Sequence, residues 1–179
     1  MTKKPSPSIK EKSRVSKEEW REYTKTVWQI ANVTHAEHPA VFPLEIPRRL
    51  IKLFSFYDEL VLDPFAGTGA TAKAAILLGR RAVCVEQNPV YADLVRKECA
   101  SLIAPDGRNA DELLQVTTGD CREMRFLDDD SVDLIVTSPP YWNKASYGDG
   151  HSNLGNVSNY GDFLREIKPA FAECLRVLK

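Results

Sequence analysis

From residue 60 onward the chain repeats one unit: a short apolar run, a polar residue at its end, then a stretch of helical character. Leu60-Val61-Leu62-Asp63, Ala82-Val83-Cys84-Val85-Glu86, Leu114-Gln115-Val116-Thr117-Thr118 and Val132-Asp133-Leu134-Ile135-Val136-Thr137 have strand length and composition. Small and aliphatic residues from Ala70 to Leu78 form a helix stopped by Gly79, and Asn88-Pro89 opens another, expected to reach about Ile103. A last helix takes in Phe163, Leu164, Ile167, Phe171, Cys174, Leu175 and Leu178, with Pro169 expected to kink or split it. Nearly continuous apolar strands alternating with helices predict an α/β fold around a parallel sheet buried on both faces. Ligands of such sheets sit beyond the carboxyl ends of the strands, where Asp63, Glu86, Asp120 and Ser138 all fall.

Upstream, Ser16 and Glu19 form a capping box, predicting a helix to about Trp28 with Trp20, Tyr23 and Val27 on one side. Residues 29–43 read as irregular, and Pro47 suits the first turn of a helix with Leu50, Ile51 and Phe54 on its apolar face. Residues 1–15, rich in Pro, Ser and Lys, are expected to be a disordered basic arm, leaving 16–179 as one domain. A net charge of −1 excludes the whole chain as a basic nucleic-acid binder. Residues 1–25 nevertheless hold eight Lys/Arg against four Glu, which suits phosphate contacts and a plain solvated tail equally well. The apolar runs are far shorter than the ~20 residues of a membrane span, so no membrane partner is expected. Cys84, Cys99, Cys121 and Cys174 have no metal-ligand spacing and read as buried thiols of a cytoplasmic protein, with no metal site.

Chemistry concentrates in three places. Asp63-Pro64-Phe65-Ala66-Gly67-Thr68-Gly69-Ala70-Thr71 joins a strand to a helix start, where Gly67 and Gly69 let backbone approach a ligand. Alone, Gly67-x-Gly69-x-x-Ala72 also fits a dinucleotide fingerprint and leaves an NAD-dependent dehydrogenase open. Glu86, 23 residues after Asp63, can accept from both hydroxyls of a ribose, and Asp120 from an adenine amine. Together they describe a pocket for an adenosine-bearing cofactor. Thr137-Ser138-Pro139-Pro140-Tyr141-Trp142 closes the fourth strand. Its prolines remove two N–H donors, so that carbonyls and the Ser138 hydroxyl can accept from an exocyclic amine, and two aromatic rings follow. A dehydrogenase has no use for that segment.

The nonapeptide Asp63–Thr71 together with Thr137–Trp142 resembles the cofactor and catalytic motifs of the amino-group DNA methyltransferases, which methylate cytosine N4 or adenine N6. The TSPPYW form is most similar to the cytosine-N4 branch. Residues 36–54, with His38-Pro39 and Pro47-Arg48-Arg49, resemble the segment lining the methionine end of the cofactor. The resemblance implies a Rossmann-like S-adenosylmethionine-dependent methyltransferase fold with double-stranded DNA as partner, of the kind found in restriction-modification. It implies that His38, Asp63, Pro64, Phe65, Ala66, Gly67, Thr68 and Gly69 surround the cofactor, with Glu86 on the ribose and Asp120 on the adenine. Ser138, Pro139, Pro140 and Tyr141 are implied to be catalytic, with Tyr141 and Trp142 stacking on a base flipped out of the duplex. Loop 143–157, with Lys144, Tyr147 and His151, is expected to close over that base.

Two departures accompany the resemblance. The cofactor motif precedes the catalytic motif, an order permuted from the usual cytosine-N4 arrangement. The sequence also stops after the helix that follows the fourth strand, so the domain is expected to be truncated there, with a complementary chain supplying further strands and target recognition. An adenine-N6 enzyme, and an inactive or regulatory half that needs such a chain, are the alternatives. RNA or a protein amide stays open as the methyl acceptor.

Overall fold

A computed structural model describes residues 4–33, 41–142, 154 and 157–179. The elements in chain order are helices α1 (Pro7–Lys12), α2 (Lys17–Tyr23) and α3 (Glu45–Phe54), strand β1 (Leu60–Asp63), α4 (Ala70–Leu77), β2 (Arg81–Glu86), α5 (Pro89–Cys99), α6 (Ala110–Leu113), β3 (Leu114–Thr118), β4 (Leu134–Ile135) and α7 (Tyr160–Val177).

Local chemistry explains most of these boundaries. Ser16 and Glu19 close their capping box, and Asn88 and Asn159 cap α5 and α7 through their side chains. Helix α2 stops at Tyr23, short of the expected Trp28. The Thr24 hydroxyl donates to the Trp20 carbonyl, and the Trp28 indole reaches back to donate to the Tyr23 carbonyl. Only Tyr23 of the expected apolar side is buried; Trp20 and Val27 are exposed. Helix α7 runs unbroken through Pro169.

The four strands form a parallel sheet in the order β3-β2-β1-β4. Alternate residues serve opposite faces, as a period of two requires. Val61, Ala82, Cys84 and Val136 pack with α3, α4 and α5, whereas Leu62, Val83 and Val85 pack with Met124, Leu127 and the Ala170, Cys174 and Val177 face of α7. Between β1 and β4 the direction of winding reverses. That is the crevice where doubly wound sheets bind ligands.

The leading arm differs from expectation. Residues 7–12 are helical, and the Tyr57 N–H donates to the Ser13 hydroxyl at 2.7 Å, with the Lys12 ammonium 4.4 Å from the Tyr57 ring. Tyr57 lies just before the start of β1, so this arm is fastened at the end of the sheet opposite the strand carboxyl ends. Helix α2 then lies on α3, where Lys52 pairs with Glu19 and Arg49 approaches Glu22 and the Tyr23 and Trp28 rings.

On the outer edge of β4, Val132 forms a parallel bridge to Leu178. The Ser131 and Val132 amides donate to the Val177 carbonyl at 2.8 Å, and the Lys179 amide donates to the Val132 carbonyl at 3.0 Å. The described residues contain no helix long and apolar enough to cross a membrane.

Candidate functional site

The turn after β1 is built by its own polar groups. Asp63 is buried, and its Oδ1 accepts from the Phe65 amide at 3.1 Å. Gly67 and Gly69 follow with φ of 51° and 78°, a region that only glycine enters freely. The Gly69 amide closes the turn on the Ala66 carbonyl at 2.8 Å. A Cβ on Gly69 would meet Val95 Cγ1 at 3.0 Å, so α5 packs directly against this bend.

Glu86, at the end of β2, is the joint between turn and neighbouring helix. Its Oε2 accepts from the Gly67 amide at 2.8 Å, and its Oε1 from the Asn88 amide at 2.9 Å. Burial pushes the carboxyl above its ordinary value, although those amide bonds oppose the shift. A carboxylate has about four acceptor positions, and the amides of Gly67, Asn88 and Gln87 leave Glu86 capacity for a ribose hydroxyl. Beside a turn whose glycines carry no side chain to block a close approach, this acceptor fits a nucleoside hydroxyl.

Asp120 is differently placed. The Gly119 amide donates to the Glu86 carbonyl at 3.0 Å, which brings Asp120 beside β2. Its carboxylate is clasped by Arg122, with the backbone amide at 2.9 Å, Nε at 3.0 and 2.9 Å to the two oxygens, and the terminal nitrogen at 2.6 Å. Glu166 on α7 holds the far side of the same guanidinium at 2.7 Å. Burial would raise the Asp120 carboxyl, but the Arg122 bonds outweigh it and hold the group below its usual range. Arg122 is a site neighbour that the strand-end logic missed; an arginine two residues after an acid was its only trace.

The second motif reaches the first through buried hydroxyls. Thr137 Oγ1 donates to Asp63 Oδ1 at 2.7 Å, and Thr71 Oγ1, at the start of α4, donates to the Val136 carbonyl at 3.2 Å. Burial raises the Asp63 carboxyl, with Thr137, Thr71 and the Phe65 amide pulling against that shift. Ser138, Pro139 and Pro140 follow at once and are half-buried, and Tyr141 is 53% exposed. Trp142 turns away to brace the start of α7. Its indole donates to the Val157 carbonyl at 2.9 Å, and its ring lies 5.5 Å from that of Tyr160. Phe65 and Trp142 pack on the same small cluster of Leu154, Phe163 and Ile167. The glycine turn and the Ser138 segment thus meet at the reversal between β1 and β4. His38 and loop residues Lys144, Tyr147 and His151 lie outside the described residues. Among the described residues, no group of His, Cys, Asp and Glu is arranged to hold a metal ion.

Comparison with known proteins follows the same division. A family model described as DNA methylase, for N6- and N4-directed enzymes, matches residues 2–97, a stretch holding the glycine turn and Glu86 but ending before Ser138. The type II methyltransferase M.BglI of Bacillus subtilis is 34% identical over 112 residues, 62% of this chain and 32% of its own length. The type II methyltransferase M.MjaI of Methanocaldococcus jannaschii is 43% identical over 88 residues, 46% of this chain and 29% of its own. The chain thus spans about a third of the length of these relatives. A candidate DNA modification methylase of Thermus thermophilus superposes with a TM-score of 0.50 at 40% identity, covering 64% of this chain and 44% of that one. TrmN from the same organism, at 20% identity and a TM-score of 0.54, shares the fold over 76% of this chain and 35% of its own.

Proposed function

The chain belongs to the amino-group DNA methylase family, whose members use S-adenosyl-L-methionine, and on that premise we propose that it carries the catalytic module of a DNA methyltransferase directed to cytosine N4. What carries the reading is the bond from Thr137 to Asp63, because it sets the acceptor segment against the cofactor turn. S-adenosylmethionine supplies an electrophilic methyl group when bound. The chain's own residues do the rest. Glu86 would hold the ribose through its remaining acceptor capacity, beside the Gly67–Gly69 turn, whose positive-φ glycines leave the approach free of side chains. Asp120 reaches an adenine amine only if Arg122 yields one of its bonds, so its contribution is the smaller of the two acids.

Ser138 Oγ and the Pro139 carbonyl accept from the two N–H groups of the target amine. That favours a pyramidal nitrogen with a directed lone pair, where the free amine has its lone pair spread into the ring. The exposed Tyr141 stacks on the flipped base, and the braced Trp142 fixes the exit of the segment. Positioning and local polarity supply most of the acceleration, since the methylated nitrogen is acidic enough to lose its proton to Ser138 or water. The TSPPYW wording supports cytosine over adenine. Four free, buried thiols support a cytoplasmic setting.

Tritiated methyl transfer to DNA followed by nucleoside analysis tests the proposal. N4-methylcytosine is the expected product. N6-methyladenine would move the assignment to the other branch, and no incorporation despite cofactor binding would sink independent activity. A second reading, a half that works with a complementary chain, is supported by Leu164, Phe171 and Leu175. They form one stripe on α7 and stand 48, 48 and 77% exposed. Methyl transfer that arises only on mixing with a second chain would favour it.

A further inference from the structure

We propose that Thr137 is a positioning residue for the transfer, acting through Asp63. On this view the buried carboxylate belongs to the joint between the two motifs, and it is the Thr137 hydroxyl that sets the acceptor geometry of Ser138. The inference rests on the methyltransferase reading for its meaning, but its geometry stands independently.

Asp63 is 2% exposed and Thr71 1% exposed, so neither is placed to meet a ligand from solvent. Asp63 Oδ1 spends its acceptor capacity inside the protein, on the Phe65 amide of the turn and on the Thr137 hydroxyl of the other motif. Thr71, next to the same carboxylate, donates to the carbonyl of Val136, the residue before Thr137. Two hydroxyls from the glycine motif and the catalytic strand therefore close a ring around one carboxylate. Backbone pairing alone does not supply that hold. Strand β4 pairs with β1 through two residue pairs, Val61–Leu134 and Leu62–Ile135, and the Val136 amide adds one bond to the Leu62 carbonyl at 3.1 Å. Beyond that bond come Thr137 and Ser138, and two prolines that cannot donate. The Thr137 hydroxyl is the last tie to β1 before the acceptor atoms. A hydrogen bond to a charged, desolvated acceptor is among the stronger single ties a fold can use, and a buried carboxylate deprived of it has no water to replace it.

The test compares Thr137→Val, which keeps the shape and removes the hydroxyl, with Thr137→Ser, which keeps the hydroxyl. Amide exchange of the unliganded chain is read at Val136 and, as an internal control, at Val83 and Val85 of β2. Exchange at Val136 is expected to quicken at least about tenfold in the valine variant, the order set by loss of one charge-assisted bond. The β2 amides should stay within about twofold and the serine variant within about threefold of the parent, the allowances left for relaxation of the unfolded chain and of side chains. In methyl transfer to DNA, the valine variant should lose at least about tenfold in kcat at little-changed KM for S-adenosylmethionine, with serine restoring it. Unchanged Val136 exchange, equal loosening of β2, or a serine variant as defective as valine would overturn the proposal. A parent protein without methyl transfer would count against the proposed function, and the exchange comparison would still decide the role of Thr137.

Discussion

The two halves of the site are held in different ways. Around the glycine turn, backbone does the holding. Strand β2 pairs with β1 at four positions and with β3 at five, the Ala66 amide continues the ladder to the Val85 carbonyl, and Glu86 clips the turn to α5. Around Ser138, β4 pairs at two positions, and side chains take over: Thr137 on Asp63, Thr71 on Val136, Trp142 on Val157. A pocket meant to receive one cofactor gains from a rigid backbone frame. If the Ser138 segment admits and releases a flipped base, as proposed, it gains from ties that single side chains can make and break. The contrast predicts that changes in the first half alter cofactor affinity and stability, while changes in the second alter the rate.

The largest expected effect lies in the second half. Ser138→Ala should lower kcat for methyl transfer by about a hundredfold or more, the scale of losing one preorganised polar contact to the reacting group, with cofactor affinity intact. A weakened affinity with normal turnover would erase the distinction between halves. Next comes Glu86→Ala, which should raise the dissociation constant for S-adenosylmethionine about tenfold to a hundredfold in calorimetry, through lost bonds to a charged acceptor. Asp120→Ala should cost less, because Arg122 already occupies that carboxylate.

Glycine substitutions sharpen the picture in the first half. Gly79→Ala should destabilise by about 2–4 kcal/mol in urea unfolding, since φ is +73° and the new Cβ would lie 2.1 Å from Tyr57 Cε2. Gly69→Ala should cost less stability, about 1–2 kcal/mol, because its new contact is a movable Val95 methyl, yet it should weaken cofactor binding more than Gly79→Ala does.

The smallest effect is one of pH. The folded chain holds the Glu86 carboxyl above its ordinary value of 4.5. From that value up to the raised one, the folded state keeps a proton that the unfolded state has released, so stability falls as pH rises through the window. Asp63 shifts the same way and is common to parent and variant. Glu86→Gln should therefore flatten part of that decline, seen as a smaller loss in unfolding free energy between acid and neutral pH. An identical slope would show that Glu86 titrates normally.

The succession of strands and helices was readable because each apolar run is long enough for a strand and ends in a distinct polar or Gly/Pro signal. Asp63 and Glu86 stood out for the same reason, as acids closing buried runs. What could not be read depended on partners distant in sequence. Helix α1 and the anchored arm rely on Ser13 meeting Tyr57, 44 residues away. The early end of α2 follows from an indole folding back on a carbonyl. Trp142 looked like a stacking platform, yet its indole N–H is committed to the Val157 carbonyl, 15 residues on. Asp120 looked like an open acceptor until Arg122 and Glu166 were seen around it. Helix α6 is one turn opened by the Asn109–Glu112 box, too brief for any periodic pattern.

The docking of Ser13 onto Tyr57 has a practical consequence. Because Ser13 is tied to Tyr57, just before β1, a fluorophore, affinity handle or surface linker attached ahead of Pro7 would join the chain at the end of the sheet opposite Ser138. A chain tethered that way would present its cofactor crevice to solution, suiting it to immobilised binding assays with duplexes of varied sequence.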